Sequence, residues 1–188
     1  MPNIINGDCL EILLTFKDKE FDYFLTSPPF KEEEFGGPQY WKLMDKVVFE
    51  LERITSKAGF MFNSSTKLKT MLSRYPNIMR VLIWGKQPCS YSFRYEPIFV
   101  WQFGGFKVNK YIFKDFWSLP PVQKNSTTYE NPIKLYKEIL QIQPKGRVID
   151  PFTGTGTTMK ACKILGHDFT GIELDSKKPC FSVGIEAY

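Results

Sequence analysis

Apolar residues along the chain fall into short runs whose period switches between that of a strand and that of a helix. Phe21–Leu25 is a compact apolar run that stops at Thr26-Ser27-Pro28-Pro29, which predicts a buried strand ending in a rigid loop. Between 40 and 55, Trp41, Met44, Val47, Val48, Leu51 and Ile54 recur at three- and four-residue spacing and predict an amphipathic helix. Gly59–Phe62, Ile78–Trp84 and Pro97–Trp101 read as further strands, with Thr66–Tyr75 a helix after the first of them. Ile4-Ile5 is a short strand before a Gly-Asp turn, and Cys9–Phe16 a short helix. In the last third, Pro132–Gln141 is a helix with Pro132 near its start, Arg147–Asp150 a strand, Thr155–Leu165 a helix and Phe169–Glu173 a strand. Strands and helices alternating in this way predict an α/β domain with a mostly parallel sheet. Residues 102–128, rich in Phe, Lys and Pro, break the pattern and are expected to form a small lobe over the domain.

The length of 188 residues, with no linker long enough to divide it, predicts one domain spanning 1–188 and able to bury a core. No segment reaches the roughly 20 apolar residues of a membrane span. The opening MPNIINGDCLEIL lacks a basic region leading into a long apolar stretch and is not read as a secretory signal. Cysteines at 9, 89, 162 and 180 form no CxxC pair, and His167 is the single histidine. That argues against a metal site and a disulfide scaffold, and fits a reducing cytoplasm. A Ser-His-Asp hydrolase would have only His167 to use, so it is poorly supported.

Charge changes the picture more than composition does. Residues 1–52 carry a balance of −6, residues 53–128 one of +10, and the remainder +1. From Arg53 to Tyr95 there is no acidic residue, and Tyr75, Trp84, Tyr91, Phe93 and Tyr95 are interleaved among the cations. Basic groups beside rings that can stack on bases suit a nucleic-acid face. If the acidic and basic segments face apart, the molecule is electrically two-sided. Lys107, Lys110, Lys114 and Lys124 in the irregular stretch are then the candidate DNA contacts.

Two loops carry candidate chemistry. In Val148–Thr158 a strand runs into a loop holding Gly154 and Gly156 and then into a helix. Glycines let the backbone pass close to a ligand, and the helix start supplies free N–H groups. Met159 stands where a dinucleotide fingerprint needs a third glycine, and no GK[ST] follows, so neither a pyrophosphate nor a triphosphate is indicated. Glu173 ends the next strand, where a carboxylate can accept hydrogen bonds from both ribose hydroxyls. In the other loop, Pro28 and Pro29 stiffen the chain so that the Ser27 hydroxyl and the Pro28 carbonyl are two fixed acceptors. Two acceptors side by side suit an exocyclic amino group, whose lone pair is freed as both N–H groups are engaged. Phe30 offers a face on which a base can stack.

These residues resemble the S-adenosylmethionine-dependent amino DNA methyltransferases. Ser27–Phe30 matches their catalytic motif [DNS]-P-P-[YFW], and Asp150–Thr157 their cofactor motif D-P-F-x-G-x-G-T. The catalytic motif comes first, which resembles the permuted β class. Asn6–Cys9 resembles the family's G-D-C segment, whose acid contacts the cofactor's adenine. Ser92–Ile98 and Phe116–Pro120 resemble two further family segments. The resemblance implies a Rossmann-like methyltransferase domain with a small target-recognition lobe at 102–128. It implies catalytic Ser27, Pro28, Pro29 and Phe30, and cofactor contacts from Asp8, Cys9 and Thr26 on one side and Asp150, Phe152, Gly154, Gly156, Thr157 and Glu173 on the other. It implies no metal, and a bacterial, archaeal or viral source. Serine in the first motif position resembles the N4-cytosine branch, with N6-adenine the alternative. Methylation of a protein glutamine amide resembles the same chemistry, but the basic stretch argues against it. A non-catalytic DNA-binding subunit is the alternative from another class, since so small a lobe offers little recognition surface. A homodimer would relieve that shortage. Asn131-Pro132 departs from the family's Lys-Pro, and His167 stands in place of an Arg as a surface substitute.

Overall fold

The structure, a computed structural model, describes residues 3–29, 37–86, 94–104, 114–123 and 129–182. In chain order the elements are β1 (Asn3–Asn6), α1 (Cys9–Leu13), β2 (Phe21–Thr26), α2 (Pro38–Ile54) and β3 (Thr55–Phe62). A 3₁₀ turn at Ser65–Lys67 leads into α3 (Leu68–Arg74), then β4 (Ile78–Gly85) and β5 (Tyr95–Gln102). β6 (Phe116–Ser118), β7 (Val122–Gln123), β8 (Tyr129–Glu130) and α4 (Ile133–Leu140) follow. The chain ends in β9 (Arg147–Asp150), α5 (Thr157–Leu165), β10 (Asp168–Glu173) and α6 (Pro179–Ser182).

Eight strands form one sheet in the order β1-β10-β9-β2-β3-β5-β4-β6, and β7 pairs with β8 apart from it. Every neighbouring pair in the large sheet is parallel except those made by β5, which runs against both β3 and β4. The expected α/β architecture with a mostly parallel sheet is therefore present. The inner positions of the central strands, such as Tyr23–Leu25 of β2 and Phe60–Phe62 of β3, are consecutive apolar residues because both faces are covered. Tyr23 and Leu25 of β2 point into a core with α4 and α5, where Leu135, Tyr136, Ile139 and Met159 lie. Phe24, between them, points into the opposite core with Met44, Val47 and Leu51 of α2. The strand order reverses between β2 and β9, and a crevice at the carboxyl ends of strands flanking such a switch is where open α/β sheets bind ligands.

Three expectations need correction. Part of the stretch read as a lobe belongs to the sheet: β6 pairs in parallel with β4, and Trp117 is buried, its Nε1 donating to Glu138 Oε2 at 3.0 Å. Three residues are too few to show a strand period. His167 is no surface residue. It is buried, its Nδ1 accepts from Gly146 N at 3.3 Å, and its ring meets Tyr23 edge-on, burial lowering its pKa.

The third correction concerns charge. Arg53 reaches Asp18 and Glu50 at 2.8 and 2.6 Å, Lys57 reaches Asp22 at 2.8 Å and Arg74 reaches Asp45 at 2.6 Å. Acids of the first segment thus lie against cations of the second, so these two segments interleave rather than facing apart. Arg53 does most: its Nη1 and Nη2 also donate to the carbonyls of Phe16 and Leu13, tying the end of α2 to the α1–β2 connection. Arg53→Ala is expected to destabilise the protein by about 1–3 kcal/mol, because it removes the guanidinium that the Phe16 carbonyl and the buried Glu50 are bonded to. Denaturant unfolding measures this, and an unchanged midpoint would remove Arg53 from the account.

Candidate active site

The crevice at the strand switch is a cleft of about 520 Å³, built from loops that follow strand ends. Gly7, Asp8 and Cys9 come from the β1–α1 turn, Ser27 and Pro29 from the loop after β2, and Pro151, Phe152 and Gly154 from the loop after β9. Glu173, Leu174, Asp175 and Lys178 close it beyond β10, and Leu43 of α2 adds an apolar wall. The two motifs read from the sequence thus meet in one place.

Each polar group is held by its own loop. Asp8 caps α1, its Oδ1 accepting from Leu10 N at 2.8 Å and Glu11 N at 3.4 Å. Glu173 accepts from Gly154 N at 2.8 Å through Oε2 and from Asp175 N at 3.0 Å through Oε1. Each carboxylate oxygen has capacity for a second donor, so both acids stay able to receive a ligand's hydroxyl or amino group. Cys9 has its thiol pushed up to about 12, chiefly by burial and then by Asp8. It is a neutral part of the wall and not a nucleophile. Ser27 Oγ accepts from Asn131 Nδ2 at 3.4 Å.

Beneath the cleft lies Asp150, 3% exposed. Its Oδ1 accepts from Thr26 Oγ1 at 2.7 Å and Phe152 N at 3.1 Å, and its Oδ2 from Thr158 Oγ1 at 2.6 Å. Thr26 and Asp150, both read as cofactor contacts, are buried, hydrogen-bonded supports of the loops that line the cleft. Thr157 sits in the first turn of α5 with its Oγ1 3.4 Å from that of Thr155, and is not among the lining residues. Gly154 lines the cleft at φ +54, but Gly156 does not line it. A Cβ at Gly156 would meet Met159 and Cys180, and the backbone there has φ +81 where α5 begins, a conformation that favours glycine.

Phe30, Lys107, Lys110 and Lys124 lie outside the described residues. Lys114 is brought to Glu138 of α4, 2.8 Å from Oε2, with its side chain still largely exposed. The sequence reading missed Thr158, Asn131 and Tyr136. Thr158 is one residue past the matched motif, and Asn131 carried a signal only as a departure from the family pattern. Among the described residues no helix is long and apolar enough to cross a membrane, and no group of three or more His, Cys, Asp or Glu is placed to hold a metal.

The donor set fits S-adenosylmethionine. Acidic acceptors at the ends of β1 and β10 suit a nucleoside's hydroxyl and amino groups, Phe152, Leu43 and Pro29 offer apolar surface, and the volume lies within the usual ligand range.

Comparison with known proteins agrees. Residues 87–178 match the family described as DNA methylase, of the N6/N4 type. The Type II methyltransferase M.BamHI of Bacillus amyloliquefaciens is 24% identical over 93% of this chain and 55% of its own length. The chain spans only 55% to 66% of the type II methyltransferases it matches. Among solved structures, the complex of M1.HpyAVI with S-adenosylmethionine is 22% identical, with a TM-score of 0.70 over 93% of this chain and 94% of that one. The PvuII DNA methyltransferase, cytosine-N4-specific, is 12% identical with a TM-score of 0.77, over 98% of this chain and 87% of that one. The chain is thus similar over residues 87–178 to the N6/N4 DNA methylases, and it shares its fold with solved DNA methyltransferases, one of them in complex with S-adenosylmethionine.

Burial raises Asp150 to about 6 although three donors, Thr158, Thr26 and Phe152 N, pull the other way. The folded protein then holds the proton more tightly than the unfolded chain, where an Asp titrates near 3.8. Asp150's contribution to unfolding free energy therefore falls as pH rises from about 4 through 6. A carboxyl-carbon NMR titration is expected to place Asp150 near 6. A value at or below the unfolded one would overturn the account.

Proposed function

We propose that the chain transfers a methyl group from S-adenosylmethionine to the exocyclic amino group of a base flipped out of DNA, with cytosine N4 favoured over adenine N6. The observation that carries this is the meeting of Ser27 and Pro29 with Phe152, Gly154 and Glu173 around one cleft. S-adenosylmethionine, when bound, supplies an electrophilic methyl on a sulfonium and leaves as the neutral thioether. Asp8 and Glu173 hold the nucleoside end, and Gly154 lets the loop backbone come close to it. At the other end the Ser27 hydroxyl and the Pro28 carbonyl accept the two N–H groups of the target amine. That draws its nitrogen toward tetrahedral geometry and frees the lone pair to attack in line. The proton lost afterwards leaves from the nitrogen, and no covalent bond to the enzyme is required.

The preference for cytosine rests on the resemblance of serine in the first motif position to the N4-cytosine branch. Phe30 would stack on the flipped base. Lys107, Lys110, Lys114 and Lys124 would meet the DNA backbone from a recognition lobe within a single domain. Two copies acting together would give the DNA footprint that one short chain lacks. The described cysteines Cys9, Cys162 and Cys180 are free, in keeping with a cytoplasmic setting.

Nucleoside analysis of DNA incubated with the protein and labelled cofactor is expected to yield N4-methylcytosine. N6-methyladenine would overturn the base preference, and DNA binding without transfer would favour a non-catalytic subunit. Ser27→Ala is expected to lower turnover while cofactor affinity stays intact, and full turnover on both bases would remove Ser27 as an acceptor. Glu173→Ala is expected to weaken cofactor binding by about 1–3 kcal/mol in calorimetry, the scale of hydrogen bonds to a charged group. Unchanged affinity would take Glu173 out of the site.

A further inference from the structure

Ser27 does not face the cleft alone. Behind it stands Asn131, whose Nδ2 donates both to Ser27 Oγ at 3.4 Å and to Tyr136 Oη at 2.9 Å. Asn131 therefore links the Ser27 hydroxyl to the Tyr136 phenol, and the three side chains form a chain through its amide. Two of its members are tied down. Asn131 sits between the short strand β8 and the buried Pro132 that opens α4, and a residue before proline is confined to extended backbone. Tyr136 is 2% exposed in the first turns of α4, its ring stacked on Phe62 of β3 at 4.8 Å and 4°. Ser27, in contrast, is partly exposed and lines the cleft.

A free serine hydroxyl turns among three staggered positions, and its oxygen presents a lone pair to a given point in only some of them. A donor on one lone pair biases the hydroxyl among these positions and leaves the second lone pair for the cleft. We propose that Asn131 is a positioning residue that sets the acceptor orientation of Ser27 toward the target amino group. This rests on the function proposed above, in which Ser27 accepts an N–H of that group. The amide suits the task because it gives two N–H donors without a charge. A cation in that half-buried place would polarise the serine oxygen and weaken it as an acceptor.

The test measures kcat and cofactor Kd for the full chain and for Asn131→Ala and Asn131→Asp, each also in a Ser27→Ala background. With Ser27 present, either change is expected to lower kcat by about 10- to 100-fold, the scale on which misplacing a reacting group acts. Asn131→Asp keeps the shape but loses the donors, so it decides the matter if Asn131→Ala fails to fold. In the Ser27→Ala background the same changes are expected to add less than about twofold, since effects acting through one group do not add. Cofactor Kd is expected to stay the same in all variants. Equal losses in both backgrounds, a parallel loss of cofactor affinity, or full turnover of Asn131→Asp would overturn the positioning role while leaving the methyl-transfer reading intact. A wild-type chain that transfers no methyl would overturn both.

Discussion

A single buried carboxylate joins the two halves of the site. Asp150 ends β9 with almost no exposure, and its oxygens are received by Thr26 at the end of β2, Thr158 in the first turn of α5 and the backbone of Phe152 in the loop between. Thr26 and Asp150 are 124 residues apart in sequence. Burying an anion without a cation is costly, and here three donors offset part of that cost while its raised pKa records the remainder. What the arrangement achieves is register. The loop carrying Ser27 starts one residue after Thr26, and the loop carrying Phe152 and Gly154 starts one residue after Asp150. Locking these two residues together fixes one loop relative to the other.

The same junction explains what the sequence could and could not tell. Strands β2 and β9 were legible because strands buried on both faces need continuous apolar runs, and the loops were legible because prolines and glycines mark them. Within the motifs the sequence does not say which residues face the cleft. Thr26, Asp150 and Gly156 hold the loops, and the three-dimensional arrangement sets them apart from Ser27, Phe152, Gly154 and Glu173, which line the cleft. The direction of β5 was not legible, since an apolar run has the same pattern in either sense. The charge asymmetry misled for a related reason. Arg53, Lys57 and Arg74 have their acids far away in sequence, and a running count of charge is blind to pairs that close only on folding.

Preorganisation is the common feature of the polar groups around the cleft. Asp8 uses one oxygen to cap α1, and Glu173 uses its oxygens to hold the backbone of Gly154 and Asp175. Both acids are therefore oriented before any ligand arrives, and binding need not fix their rotamers. The cost is that a change at either acid disturbs its loop as well as its contact with a ligand.

The cleft also has two electrically different ends, and that difference suits the chemistry. Asp8, Glu173 and Asp175 gather at the carboxyl ends of β1 and β10, with Lys178 the one cation lining that rim among the described residues. A cofactor bearing a cationic sulfonium and ribose hydroxyls is favoured by such an environment, since the field acts on its charge and the acids accept from its hydroxyls. At the Ser27 corner the hydrogen-bonded groups are neutral, the hydroxyls of Ser27 and Tyr136 and the amide of Asn131. An aromatic amine is a weak nucleophile whose lone pair is already shared with its ring, and a nearby cation would withdraw it further. A carboxylate would be a stronger acceptor but would have to be desolvated as well. Neutral acceptors held at fixed angles avoid both costs, provided that something holds the angle, and the buried, stacked Tyr136 gives that corner its rigid base.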